Sequence, residues 1–421
     1  MMFDIIIIGS GISGASFAYK MSKYAKILLI EAKDKKSFPI STNLFPEHNL
    51  PFLKDINYTD KDIFPCIHQK LNYMGKEHNG IIDSKEFGAP FGYICYFENL
   101  IEYMLFKFED KGGIIKDGEK VLKILRSNQN IEVITNKGQS YSGKLLVIAT
   151  GSHGFDLQRS LGFSTPDTYK WVYTHLYGDE DKLNENMDFD YIFHLNPKIS
   201  QCGPFFINKG LERILAGFLI KEEDSQDQNI AKLDRILNNY KLIQPFVRGL
   251  KRGTVNTIVA EISKHPIKTF SKERIIILGE AAGLVSAFFY EGILGGLASS
   301  NIAFKVIKPL LEEKNKFTKS ELNKYDQEIY RILLKNYFKT QKASEILFYN
   351  SGSKMNTLWE TYAEFIKTNQ TIRKYIWEAF RNQNLENHNT DRDKWAGEQL
   401  FKRLPLLAKA TYWPHFLNAN L

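Results

Sequence analysis

Short, unbroken apolar runs punctuate the chain: Ile5–Ile8, Ile27–Ile30, Leu145–Ile148 and Ile275–Leu278. Each is rich in isoleucine, valine or leucine and ends at a glycine, acid or small residue. That is the pattern of strands covered on both faces. Elsewhere the apolar positions alternate or recur at helical spacing. Residues 113–150 read as a three-stranded antiparallel meander, with turns at Ser127–Asn130 and Asn136–Gly138, leading into Leu145–Ile148. Residues 168–220 hold strand-like runs such as Tyr191–Phe193 and Arg213–Leu215, read as a second, antiparallel sheet. Helices are expected over 97–108 and 226–248, after Glu291, and through most of the chain from about Lys314. Residues 33–93 read as irregular, broken by Pro39, Pro46, Pro51, Pro65 and Pro90.

The first two apolar runs frame the most specific motif. Gly9, Gly11 and Gly14 have the spacing Gly-x-Gly-x-x-Gly and join a strand to a helix. The first glycine allows a tight turn, the second lets a pyrophosphate approach the backbone, and the third lets the helix pack on the strand. The helix N-terminus then offers free N–H groups and a favourable dipole to the phosphates. Glu31, at the end of the second run, is placed to accept hydrogen bonds from ribose hydroxyls. An acid there would repel a 2′-phosphate, so NAD or FAD fits better than NADP.

Composition narrows the setting. Of the 421 residues, 43% are hydrophobic and 25% charged, as in ordinary globular proteins. The N-terminus lacks a secretory pattern, and the longest apolar stretch, Leu284–Ala298, is interrupted by Glu291 and glycines. Three scattered cysteines and nine unpaired histidines predict no structural metal and a reducing, cytoplasmic setting. The net charge of +8 is concentrated after residue 300, with 20 Lys and Arg against 13 Asp and Glu. Four of the five tryptophans also lie there. A solvated helical face explains this most simply. An anionic membrane surface or lipid substrate is the second reading. No nucleic-acid-binding motif is present, so no nucleic-acid partner is expected.

Two further motifs accompany the fingerprint: Ala149–Gly151, and the run Gly279–Gly283 leading to Glu291–Ile293. Together the three resemble the FAD-dependent geranylgeranyl reductase family, flavoproteins of the aromatic-hydroxylase fold, over roughly residues 1–345. The resemblance implies an α/β fold: a Rossmann-like FAD-binding domain, an inserted antiparallel β-sheet substrate domain and a helical C-terminal region. The domains would be 1–165 with 255–312 (discontinuous, holding the irregular 33–93 segment), then 166–254, then 313–421. It implies FAD as cofactor, held by Gly9, Ser10, Gly11, Ile12, Ser13, Gly14, Glu31, Ala32, Val121, Thr150, Gly151, Gly279, Glu280, Gly292 and Ile293. In that family the third motif has Asp, Pro and Gly where this chain has Glu280, Ala287 and Tyr290, and a phosphate-touching Arg where it has Phe97.

The activity implied is reduction of carbon–carbon double bonds in an isoprenoid or other apolar, lipid-like substrate, with electrons from NAD(P)H or a small redox protein. Peripheral membrane contact fits the basic tail. Tyr169, Trp171, Phe205, Phe206 and Tyr290 are the substrate-side candidates, with Tyr173 and Phe193 on the same sheet. No catalytic residue is fixed: Tyr290 and Glu291 stand where a proton donor would be needed, but a packing tyrosine and a structural glutamate are the simpler reading. Cys66 reads as an inert thiol. The alternatives are a flavin-dependent monooxygenase of the same fold, which should carry an Asp-Gly motif not evident here, or a degenerate non-redox flavoprotein.

Overall fold

A computed structural model describes residues 2–34, 42–53, 61–127, 129–188, 190–210, 212–221, 225–253, 257–313, 316–349, 355–381 and 385–419. Pro39 and the expected boundary at 254–255 lie outside the described residues. The apolar runs form the centre of a sheet whose strands lie in the order Ser271–Lys272, Ile275–Ile277, Ser140–Ile148, Met2–Ile8, Ile27–Ile30, Ile114–Lys116. The first pair is antiparallel and the others parallel. Ile5–Ile8 pair with Leu145–Ile148 on one side and Ile27–Ile30 on the other. Helices α1 (Ile12–Met21) and α2 (Phe97–Asp110) help to bury these strands, so both faces had to be apolar.

The meander differs from its expectation. Ile114–Lys116 is the parallel edge strand, and the antiparallel part is Val121–Arg126 and Ile131–Thr135 against Ser140–Ile148. The third meander strand and the buried run are thus one nine-residue strand. Its first half is amphipathic because only its second half is covered on both faces.

The second sheet runs Lys251–Arg252, Thr168–Tyr177, Arg213–Lys221, Phe205–Lys209, Asp190–His194, Lys70–Met74, Asn79–Asp83, with Ile258–Ser263 also on Thr168–Tyr177. Two of these strands come from the segment expected to be irregular. Lys70–Met74 joins Asp190–His194 in parallel, so the sheet is not wholly antiparallel. Each is five residues long, too short for alternation to stand out among prolines, yet Leu71, Tyr73 and Ile82 are buried. Ile258–Ser263, expected with the nucleotide domain, also belongs to this sheet. Helix α3 (Gln226–Asn239) packs Leu233, Ile236 and Leu237 into the core on one face, and the other face packs Tyr73, Phe193, Phe206 and Leu219 against the C-terminal helices and the 285–290 segment.

The chain then returns through α4 (Ile293–Glu312), which lies against α1: Ser300 Oγ donates to the Ser13 carbonyl at 2.7 Å. After α5 (Lys319–Ile329) come a nine-residue π-helical segment, Tyr330–Phe338, and α6 (Lys339–Tyr349). Helices α7 (Met355–Thr368), α8 (Gln370–Arg381), α9 (Thr390–Arg403) and α10 (Leu406–Ala419) complete the C-terminal region. Ile372, Ile376 and Phe380, at four-residue spacing, form the buried stripe of α8.

Candidate functional site

The glycine loop sits at the C-terminal ends of the parallel strands, where open α/β sheets bind ligands. Gly9 has φ +101°, and a Cβ there would stand 2.3 Å from the Ala149 carbonyl oxygen. A Cβ on Gly14 would stand 2.0 Å from Gly9 O. Gly11 differs: its Cβ would meet nothing within 4 Å, so the loop fronts open space. Gly11 also caps α1 without any side-chain hydrogen bond, and the first turn holds no acid. The free N–H groups therefore face that space.

Glu31 folds back on the loop. Its Oε2 accepts from Ser10 N at 2.8 Å and Ser10 Oγ at 2.7 Å, and its Oε1 from Lys33 N at 2.9 Å. Ala32 is exposed beside it. Glu119 N donates to the Glu31 carbonyl at 2.9 Å, which brings the strand beginning at Val121 to the same corner. Thr150 Oγ1 is buried with no partner among the described residues. Gly151 follows at φ +59°, and its Cβ would lie 3.7 Å from Glu280 Oε2. Gly279 has φ +57°, and a Cβ there would meet Ser13 Oγ at 2.0 Å, so it also fixes the approach of α1. An uncapped helix start, an open cradle at Gly11 and an orphaned hydroxyl fit an anionic dinucleotide.

This loop leads into a cavity of about 420 Å³. Ile12, Ser13, Glu280, Glu291, Gly292 and Ile293 line its loop end. Trp171, Tyr191, Phe193 and Phe206 come from the second sheet, and Phe289, Tyr290, Tyr337 and Phe380 from the helical side. Burial pushes the Glu280 carboxyl up to about 7, against a hydrogen bond from Ser263 N to Oε1 at 3.1 Å. Glu291 is also pushed up to about 7 by burial, and its Oε1 accepts from Leu294 N at 3.0 Å. The start of α4 is thus capped by the Glu291 carboxyl oxygen rather than bare.

The substrate-side candidates divide. Trp171, Phe206 and Tyr290 line the cavity, and Trp171 Nε1 is buried without a partner among the described residues. Phe205 does not. Successive strand residues face opposite sides, and Phe205 turns into the α3 core, with its ring 6.2 Å from Phe218. Tyr169 stands outside the cavity lining, edge-on to Tyr290 at 5.5 Å. Tyr290 has φ +52°, a left-handed backbone that suits the glycine found there in the reductase family. Its hydroxyl donates to Glu345 Oε1 at 3.1 Å, and burial holds the phenol well above its ordinary range.

Phe97 lines the cavity and puts no cation there; its neighbour Glu98 is held by Arg213 at 2.6 Å. Cys66 is pushed up to about 12 by burial, which makes it a poor nucleophile. Sequence reasoning missed His48, Tyr337, Gln341, Ala379 and Phe380. Of these, only Phe380 had a visible signal, as the end of an apolar stripe, and that pattern says "buried" without saying where. Burial drops His48 to about 4, so it is neutral at physiological pH, with Nδ1 3.1 Å from the Ala379 carbonyl.

No family model matches the chain. A digeranylgeranylglycerophospholipid reductase from Methanococcus vannielii is 23% identical over 333 residues, covering 77% of this chain and 81% of that protein. The crystal structure of a geranylgeranyl bacteriochlorophyll reductase-like protein from Thermoplasma acidophilum aligns with a TM-score of 0.67 at 15% identity, over 94% of this chain and 95% of that one. The flavin-dependent brominase Bmp2 aligns with a TM-score of 0.70 at 15% identity, over 96% and 100%. By fold and by sequence the chain is similar to FAD-dependent oxidoreductases. Within that class it is similar to the geranylgeranyl reductase family, as its motifs imply.

Proposed function

We propose that this protein uses FAD to reduce carbon–carbon double bonds in an isoprenoid or similarly apolar chain. The observation that carries the reading is the cavity itself. One end is the glycine loop with Glu280, and the rest is walled mainly by aromatic and aliphatic side chains. FAD, when bound and reduced by NAD(P)H or a small redox protein, would supply the electron pair for the reduction. The chain's own residues bind, orient and exclude water. The N–H groups around Gly11 and the start of α1 would hold the pyrophosphate. Glu31 would exchange its bonds to Ser10 for ribose hydroxyls, and Glu280 would meet the ribityl chain beside Gly151. Val121, Ala32 and Thr150 complete this proposed site.

Alkene reduction also needs a proton. Glu291 is the donor we assign: it lines the cavity, and with its carboxyl near 7 it carries a proton close to neutral pH. The Tyr290 hydroxyl is already committed to Glu345.

We further propose that the reaction takes place at a membrane surface. No helix among the described residues is long and apolar enough to cross a membrane. Helix α10, however, exposes Leu406 (83%), Leu407 (87%), Trp413 (53%) and Leu417 (57%). Lys402, Arg403 and Lys409 flank this stripe, and residues 404–417 contain no acid. Apolar and cationic groups so arranged suit an anionic lipid surface.

The test is anaerobic. The FAD-loaded protein is reduced chemically and mixed with a geranylgeranyl lipid. Return of oxidised-flavin absorbance together with a saturated product supports the reading. No reoxidation by alkene, with rapid oxygen use and a hydroxylated aromatic product, would transfer the protein to the monooxygenase alternative. Assaying NADH, NADPH and a reduced ferredoxin identifies the electron donor. Flotation with anionic vesicles tests the membrane contact, which fails if a variant with Leu406, Leu407 and Trp413 changed to serine floats equally well.

A further inference from the structure

A second cavity, of about 130 Å³, lies behind the first. Its walls are Tyr73, Phe288, Phe348 and Tyr362 on one side and Ile376 and Leu400 on the other. The two cavities share four lining residues: Phe289, Gln341, Ala379 and Phe380. The Phe289 and Phe380 rings are 6.0 Å apart between centroids, and Phe289 also leans on Phe193 at 4.8 Å. Neither ring carries a polar atom, so moving either aside breaks no hydrogen bond.

The far wall of the second cavity is polar. The Tyr375 hydroxyl donates to Asp393 Oδ1, and His388 Nε2 meets Asp393 Oδ2. Tyr375 also lines a surface hollow with Asn389, Arg392 and Trp395. The second cavity therefore ends at a hydrogen-bonded cluster near the surface of α8 and α9.

We propose that the second cavity binds the distal end of the apolar chain whose reacting segment occupies the first. Phe289 and Phe380 are the gate that sets how long a chain gains affinity. The proposal rests on the reading that the first cavity takes an apolar chain. The physics is that of a mainly apolar void: it favours hydrocarbon over water, and each further buried methylene tightens binding about fourfold. A chain that only fills the first cavity stops gaining affinity when its end reaches the gate. A chain that passes the gate goes on gaining until it meets the Tyr375–Asp393 cluster.

The experiment measures dissociation constants of n-alkanols, from octanol to octadecanol, for the full-length FAD-loaded protein by displacement of a fluorescent fatty-acid probe. Alkanols carry no double bond, so the readout is independent of turnover. Two variants fill the second cavity from α9, Gly397→Leu and Ala396→Leu, and one opens the gate, Phe380→Ala. Retained FAD absorbance and an unchanged melting temperature show which filling variant is folded. The expected result is equal octanol binding in the filled variant and the unmodified chain, since neither Gly397 nor Ala396 lines the first cavity. Octadecanol should bind at least tenfold more weakly to the filled variant and at least as tightly to Phe380→Ala as to the unmodified chain. If the affinity-against-length curve is the same in the filled variant as in the unmodified chain, the gate is overturned while the apolar-chain reading stands. If no alkanol of any length displaces the probe, the reading of the first cavity falls, and the gate with it.

Discussion

The two ends of the cavity are held in place by different means. At the loop end, backbone meets backbone: Gly9 and Gly14 sit where a single added carbon would come within 2.3 Å and 2.0 Å of carbonyl oxygens. At the aromatic end, the walls are side chains from segments scattered between residues 46 and 380, in ring contacts of about 4.5–6 Å. Backbone contacts of the first kind admit almost no substitution. Packed rings of the second kind can be exchanged for others of similar volume. The proposed nucleotide site is therefore less tolerant of substitution than the wall opposite it.

The contrast can be broken most forcefully at the loop. Gly14→Val should cost more than about 4 kcal/mol, because the clash is with backbone that cannot move aside. Loss of the cooperative thermal transition would show it, and a melting temperature within a few degrees of the parent would refute the rigid-loop account. The second sheet offers a matched pair. Phe205→Ala should cost about 3–5 kcal/mol in denaturant unfolding, because its ring is fully packed against α3. Phe206→Ala should cost less, since part of its ring borders a void, yet should raise the KM for an apolar substrate. Equal stability losses would mean that the two faces of the strand are not distinct.

Gly11→Val sharpens the same point from the other side. Its side chain enters open space, so the FAD-free protein should melt normally while FAD binding weakens about 100-fold, or about 2.7 kcal/mol. A smaller effect follows from the carboxyls. Glu280 and Glu291 sit near 7 in the folded chain, against an ordinary 4.5 when unfolded. Between those values the folded state binds more protons than the unfolded one, so stability of the FAD-free protein should fall as pH rises from about 4.5 to about 7. Glu280→Gln and Glu291→Gln should each flatten part of that slope in pH-dependent melting curves. An unchanged slope in both would show that neither carboxyl is held protonated.

The same contrast governed what could be read in the sequence. The loop end depends on contiguous residues with positional meaning, so Gly9, Gly11, Gly14 and the Ile5–Ile8 strand were legible, as were the parallel-sheet core and the helical C-terminal region. The aromatic end depends on which distant segments meet. Lys70–Met74 and Asn79–Asp83 were hidden by their brevity, and Tyr337, Gln341 and Phe380 carry no local sign of facing a cavity. Phe205 was misplaced for another reason: two adjacent aromatics on a strand look alike until the register tells which one faces inward.

The π-helical segment Tyr330–Phe338 gives the C-terminal region a consequence for sequence comparison and for engineering. A π turn accommodates more residues than an α turn, and such segments are usually α-helices that have taken in an extra residue. Removing one residue, such as Lys335, would let the helix relax to α geometry and rotate everything beyond it by about 100° relative to the residues before it. Gln341 would leave the cavity wall, and Glu345 would swing away from Tyr290. Single-residue gaps in this stretch of related chains would therefore mark a re-aimed binding pocket rather than a neutral change in helix length.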